Sequence, residues 1–435
     1  MTKKVKCNSL NRERSASPKD ANKQMLRGNA IVGQSGGPTA AINATLAGVI
    51  KGAFDCEAIE TIYGAFNGVE GMLKGTICNL NEVFANRDDL KVLCATPAAA
   101  LGSCRKKLPK LDDEAGKATY EALVEFFKAH NIRYFFYIGG NDSMDTVAKL
   151  TGYLKDKDWE MRVMGVPKTI DNDLVGTDHT PGFGSAAKYI AATMQEILRD
   201  TAVYTVKAVT IVEIMGRDAG WLTTAAGLTE RVCGVCADLI YLPERTFDMD
   251  KFIEDVNKAF EKHPNVVVAI SEGARFADGR YVGEGSQSGV TDAFGHKYLS
   301  GTGKVLEEAV RERIGCKVRS IELNLMQRCA SHIASKADLD ESQTVGAAAV
   351  MAAANGESGK MMGYVREEGK EYSITVKDFD IAKIANMIRE VPDEFINAEG
   401  NGITDACIDY LLPLIQGEPE QVYVNGLPKH FVIER

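Results

Sequence analysis

The sequence predicts an α/β protein built as two doubly wound, largely parallel lobes, with a ligand site in the cleft between them. Two observations predict it. Short β-branched or aromatic runs recur along the chain, each ending in a polar, often glycine-containing tip and giving way to a helical period. The tips fall into two groups, one through Asp173 and one from Met215 onward, and no Pro- or Ser-rich linker separates them. On this pattern the chain divides into a basic extension (1–28), a first lobe (29–180), a second lobe (181–328) and a C-terminal segment (329–435) that completes both lobes, with scope for a subunit contact.

In order, Ala30-Ile31-Val32 runs into Gly33-Gln34-Ser35-Gly36-Gly37-Pro38-Thr39 and then a helix over Ala40 to Phe54. Tyr134 to Ile138 leads into Gly139-Gly140-Asn141-Asp142-Ser143, with a helix from about Met144. Arg162 to Val166 leads into Pro167-Lys168-Thr169-Ile170-Asp171-Asn172-Asp173. A helix is expected between Gly184 and Val203, where Ile190, Met194, Ile197 and Leu198 stand at core spacing. Val209 to Ile214 then leads into Met215-Gly216-Arg217, Val266 to Ile270 into Ser271-Glu272-Gly273, and Ile321 to Leu325 into Met326-Gln327-Arg328. Ligands of open parallel sheets gather beyond the carboxyl ends of the strands. Tips carrying Gly, Asp, Arg and Lys therefore read as a site rather than as turns.

Composition narrows the class. A chain of 435 residues, 45% hydrophobic and 26% charged with 41 glycines, is an ordinary soluble enzyme, and no apolar run approaches the ~20 residues of a membrane span. A net charge of −9 argues against nucleic acid or anionic lipid as partners, so an anionic substrate needs a local basic site. The N-terminal stretch through Arg27 is basic but lacks the apolar region of a secretory signal, and reads as a solvated extension. Ten scattered cysteines suit a reducing compartment, by default the cytoplasm. Cys233 and Cys236 have no second pair at zinc spacing and read as buried free thiols. Gly301-Thr302-Gly303-Lys304 lacks the upstream glycine of a P-loop, and Val305 stands where its Ser/Thr belongs.

A strand running into Gly36-Gly37 and then a helix converges backbone N–H groups and a helix N-terminus on one point, which favours a phosphate. Gly139-Gly140 repeats the device and adds Asp142 and Ser143. In the run Lys168 to Asp173, two carboxylates two positions apart stand beside a lysine. A carboxylate there can accept a hydroxyl proton while lysine neutralises phosphate oxygens.

These motifs, in this order, resemble the phosphofructokinase family from about Asn29 to Arg328. The resemblance implies phosphoryl transfer to the 1-hydroxyl of fructose 6-phosphate, with Mg2+. It implies Asp171 as the base, Thr169 and Ile170 at the sugar phosphate site with Asp173 in support, and Met215, Gly216 and Arg217 lining the sugar site. It further implies Glu272 on the sugar hydroxyls, Arg328 on the substrate phosphate and Arg105 on the transferred phosphoryl group. Arg319 matches an arginine that reaches the 6-phosphate of a neighbouring subunit, so a homodimer or homotetramer is expected. ATP-using members carry glycine where Asp142 and Lys168 stand, whereas pyrophosphate-using members carry Asp and Lys, so Gly36, Gly37, Asp142, Ser143 and Lys168 are expected to bind pyrophosphate. A carboxylate at Asp142 would face the α-phosphate of a nucleotide, and like charges ~4 Å apart repel by about 4 kcal/mol at an effective dielectric near 20.

The alternatives are an ATP-dependent phosphofructokinase, a sedoheptulose 7-phosphate kinase, and a non-catalytic phosphosugar-binding subunit. Two departures from the family pattern stand out. Asn141 replaces an acidic magnesium partner, leaving the metal to Asn141, Asp142 and the phosphate oxygens, and Ala208 replaces a second 6-phosphate arginine, with Lys207 out of register by one.

Overall fold

The computed structural model describes residues 25–114, 116–284, 299, 301–369 and 371–435. The basic extension through Gln24 lies outside the described residues. In chain order the strands of the two main sheets are β1 (Gly28–Gln34), β2 (Ile59–Ala65), β3 (Ile77–Asn79), β4 (Ile132–Gly139), β5 (Arg162–Pro167), β6 (Ala208–Ile214), β7 (Leu239–Tyr241), β8 (Asn265–Ser271), β9 (Lys317–Glu322), β10 (Lys360–Arg366) and β11 (Ile374–Asp380). The long helices are α1 (Ile42–Phe54), α2 (Lys117–Ala129), α3 (Asn141–Leu154), α4 (Phe183–Thr201), α5 (Met249–Ala259), α6 (Thr302–Arg313) and α7 (Lys336–Ala354).

The first sheet has the order β11-β10-β5-β4-β1-β2-β3, and the second β7-β8-β6-β9. Pairing is parallel except at the β3 and β11 edges. Strands covered on both faces must be apolar throughout, and β4, with Tyr134 to Ile138 all buried, shows it. The exposed edges alternate instead: in β9, Lys317, Arg319 and Glu322 are open to solvent while the residues between are half-buried.

Each sheet is sandwiched. Val32, Phe136 and Val166 of the first sheet pack on Leu46, Val49 and Ile50 of α1 and Val345 and Ala349 of α7. On its other face, Ile31, Phe135 and Val163 meet Leu123 and Phe127 of α2 and Met144 and Val147 of α3. The second sheet is covered on one face by α5 and α6 and on the other by α4 and the segment 391–414. Helices α1 and α7 touch backbone to backbone: a Cβ on Gly48 would lie 2.1 Å from the Gln343 carbonyl oxygen, and one on Gly346 2.3 Å from that of Thr45.

Three sequence expectations shift. Helix α3 begins at Asn141, not near Met144, because Asn141, Asp142 and Ser143 form its first turn, where an acidic side chain meets the positive end of the helix dipole. Strand β9 covers Lys317–Glu322 and stops short of Leu325, so Arg319 lies within it. Cys233 and Cys236 are free thiols as expected, but half-buried rather than buried, since they flank an exposed turn with Val232 and Val235 open to solvent.

Candidate active site

The tips of both sheets face one cavity of about 720 Å³. Its floor begins at the end of β1. Ser35 N–H donates to the Ile138 carbonyl (2.9 Å), Gly36 N–H to that of Cys104 (3.0 Å), and the Ser103 hydroxyl to that of Gly36. The last two bonds hold the segment that carries Arg105 and Lys107 against the glycine loop. Gly36 has φ +78°, and a Cβ built on it would sit 3.0 Å from the Lys168 Nζ. The left-handed backbone favours glycine here, and a Cβ would press on that ammonium. From across the cleft, the Arg328 guanidinium comes within 3.6 Å of where a Gly37 Cβ would lie.

Helix α3 supplies the second wall. Asp142 pairs with Lys107 at 3.0 Å. The Asn141 amide donates to the Met387 carbonyl (2.9 Å), and its Oδ1 is buried without a hydrogen-bond partner. Lys168 N–H donates to the Gly139 carbonyl (3.0 Å), anchoring the loop after β5 to this wall. Within that loop the Thr169 hydroxyl donates to the Asp171 carboxylate (2.9 Å) and accepts from Asp171 N–H (3.2 Å), fixing the carboxylate rotamer. Asn172 turns the chain with φ +54° and donates to the Tyr410 hydroxyl (3.1 Å).

The second lobe closes the site. Glu272 accepts from Gly216 N–H (3.4 Å), Gln327 from Met215 N–H (3.2 Å), and Glu213 from Gly303 N–H at the start of α6 (2.8 Å). Charges crowd here. Burial pulls the Lys168 ammonium down to about 8, against the pull of Asp171 and Asp173. Burial, then the neighbouring Asp171, pushes Asp173 up to about 7. Burial also raises Glu272 to about 8 and Glu213 to about 7. The site thus holds a buried cation in the midst of carboxylates that are reluctant to ionise, the environment of groups tuned for proton and phosphoryl transfer.

Of the residues singled out in the sequence, Gly36, Gly37, Arg105, Asn141, Asp142, Ser143, Lys168, Thr169, Ile170, Asp171, Met215, Arg217, Glu272 and Arg328 line this one cavity. Gly216 stands behind it, offering its N–H to Glu272. Arg319 lies outside it, on the edge strand β9, lining a separate small cavity with Lys317, Tyr204 and Ala208. The sequence reading missed Lys107, Glu213, Asp218, Asn324, Asn386 and Ile388 as lining residues. Lys107 had one available signal, its place two residues after Arg105. Asn386 and Ile388 had none, being brought in by a segment more than 200 residues from the loops they meet.

Among the described residues no group of three or more His, Cys, Asp or Glu is placed to hold a metal. The unpartnered Asn141 Oδ1 beside the Asp142 carboxylate nevertheless fits a hard cation that brings its other ligands with a phosphate.

The family model described as phosphofructokinase matches residues 29–353. This chain belongs to the phosphofructokinase family. It is 40% identical over 412 residues to the pyrophosphate–fructose 6-phosphate 1-phosphotransferase of Methylococcus capsulatus, covering 94% of this chain and 96% of the relative. The protein of the same name from Halomonas elongata is 40% identical over 411 residues, with 93% and 96% covered. The crystal structure of the pyrophosphate-dependent phosphofructokinase of Nitrosospira multiformis superposes with a TM-score of 0.83 at 36% identity, covering 93% of this chain and 96% of that one.

Proposed function

We propose that this chain transfers a phosphoryl group reversibly between pyrophosphate and the 1-hydroxyl of fructose 6-phosphate, giving fructose 1,6-bisphosphate and phosphate. The observation that carries this reading is the buried Lys168 ammonium packed over Gly36, with Asp142 rather than a glycine at the first turn of α3. The first lobe (29–180) binds the pyrophosphate, the second (181–328) the sugar, and residues 329–435 complete both.

The sugar O1–H gives its proton to the Asp171 carboxylate, oriented by Thr169. A new O1–P bond forms as the bridging P–O bond of pyrophosphate breaks, and phosphate leaves. The transfer state is loose, with charge spread over the phosphoryl oxygens, so catalysis rests on placement and neutralisation. Arg105 neutralises the moving group, and Gly36, Gly37, Ser143 and Lys168 hold the leaving phosphate. Met215, Gly216, Arg217 and Glu272 fix the sugar, Thr169 and Ile170 line its approach to the base, and Arg328 meets its phosphate. Mg2+, held by Asn141 Oδ1 and Asp142 together with pyrophosphate oxygens, would add charge neutralisation.

Arg319 does not line its own chain's cavity but stands with Ala208, Asn265 and Lys317 at the opposite ends of the strands, and in this reading it completes the 6-phosphate site of a second copy in a homodimer or homotetramer. No described helix is long and apolar enough to cross a membrane, and the scattered free thiols are those of a cytoplasmic enzyme. The test is an assay of the purified protein with fructose 6-phosphate and either pyrophosphate or ATP. Turnover is expected with pyrophosphate, and strong ATP activity with none from pyrophosphate would overturn the donor assignment.

A further inference from the structure

A nucleoside donor differs from pyrophosphate in the ribose and base attached beyond the second phosphate. Lys168, Gly36 and Asp142 line one cavity, and Asp142 stands at the head of the outer face of α3, so a continuation of the donor past Asp142 would meet that face. Residues 142, 145, 149 and 152 share this face, since they succeed one another at helical spacing. It is not open.

The segment that carries Arg105, hydrogen-bonded to the glycine loop at Ser103 and Cys104, is laid along this face and tied to it at three levels. At the first turn Lys107 Nζ pairs with Asp142 (3.0 Å). Two turns on, Lys149 Nζ donates to the Leu108 carbonyl (3.0 Å) and pairs with Asp145 (2.6 Å). A turn further, the Leu111 side chain lies 3.2 Å from where a Gly152 Cβ would be. From the other flank Asn386, which lines the cavity, donates to Asp145 (3.4 Å). Both side chains of the Lys149–Asp145 pair are about four-fifths buried, at 22% and 19% exposed. Such a pair is better shielded than a surface ion pair and resists displacement by an uncharged ribose and base. Asn386 lies beyond the residues 29–353 that the family match spans, so part of the seam belongs to the C-terminal segment alone.

We infer that this seam, with Lys149 at its centre, is a second determinant of donor choice: it closes the groove that a nucleoside would need. The inference rests on the pyrophosphate reading of the site and extends it. Asp142 acts on a nucleotide by charge. The seam acts by occupying the space, so removing Asp142 alone leaves a nucleoside nowhere to go. Lys149 touches no donor atom in this arrangement, and its role is to exclude.

The experiment compares Asp142→Gly with the triple variant Asp142→Gly/Lys149→Ala/Asn386→Gly, in the full chain. Equilibrium binding of ADP and of methylenediphosphonate, a non-hydrolysable pyrophosphate analogue, gives a readout apart from turnover. The triple variant is expected to bind ADP at least about tenfold more tightly than Asp142→Gly, equivalent to about 1.4 kcal/mol, with methylenediphosphonate unchanged within about threefold. Its kcat/KM with ATP should rise by a similar factor. Equal ADP affinity in the two variants, each with a cooperative thermal melt, overturns the inference. Lys149→Met, which cuts both polar ties that hold the 105–111 segment but keeps the apolar stem, replaces Lys149→Ala if the latter fails to fold and must still raise ADP affinity above that of Asp142→Gly by at least about threefold. The two readings fail separately: ATP turnover without pyrophosphate turnover in the parent protein sinks the function, whereas pyrophosphate turnover with no gain in ADP binding sinks only the seam.

Discussion

Lys168→Met should yield a protein that is more stable and almost inactive. Methionine keeps the length of the stem and removes the charge. In the folded chain Lys168 is 4% exposed and its pKa falls from 10.5 to about 8, chiefly through burial. That difference corresponds to about 3 kcal/mol by which the folded state disfavours the charged lysine relative to the unfolded chain. Proton counts set the direction. Between about 8 and 10.5 the unfolded chain holds a proton that the folded chain has released, so this group makes stability rise with pH across that window. Below 8 both states are charged and the full cost is present. Urea unfolding at pH 7 should therefore place Lys168→Met up to about 3 kcal/mol above the parent, with the gap narrowing as pH rises past 8. Turnover with pyrophosphate should fall about 10²–10³-fold, the loss seen when one preorganised charge-stabilising group is removed. A variant less stable than the parent at pH 7, or a gap that ignores pH, would refute the claim that this lysine is held charged at the expense of stability.

Other expectations concern the proposed base, the proposed sugar wall and the scaffold. Asp171→Asn keeps an oxygen for the Thr169 hydroxyl but removes the proton acceptor, so kcat should drop about 10²–10⁴-fold while calorimetry still detects fructose 6-phosphate binding. Glu272 is raised to about 8, so the folded state takes up a proton that the unfolded chain lacks, and stability drains away as pH climbs from about 4.5 to 8. Glu272→Gln should flatten that decline, seen as a melting temperature that gains on the parent between about pH 5 and 8. Asp338 accepts from Gly182 N–H, Ser185 N–H and the Ser185 hydroxyl at the start of α4, and Asp338→Ala should cost about 1–3 kcal/mol in urea unfolding.

The parallel strands and their tips were legible because a strand buried on both faces must be apolar for its whole length, and because its C-terminal end must then turn abruptly polar. Gly36, Lys168 and Asp171 were readable on those grounds. The edges were not. β3 is three residues long, and β9 alternates with its solvent face, so its end at Glu322 and the turn beyond it blurred into one run. Lys107 was hard to read for another reason: beyond its place two residues after Arg105 it lies on an irregular segment with no periodicity, and its partner Asp142 is distant in sequence. Asn386 and Ile388 come from a segment without a chemical motif whose place is set by pairing of β10 with β5, a long-range event that no local pattern announces.

The contact between α1 and α7 bears on how the chain is made. The helix after the Gly36–Gly37 loop is seated, glycine against backbone, on a helix nearly 300 residues later, and β10 is later still. The first sheet can be finished only after most of the chain has been synthesised. The other face of the second sheet also waits, for Val391, Ile396 and Leu411. Among the described residues, the packing of β6 and β8 on α5 and α6 draws on partners that all lie between Val209 and Val318. On the ribosome this inner block is the natural first unit to become compact. The Gly36–Gly37 loop, although encoded early, leads into a helix whose seat is encoded late.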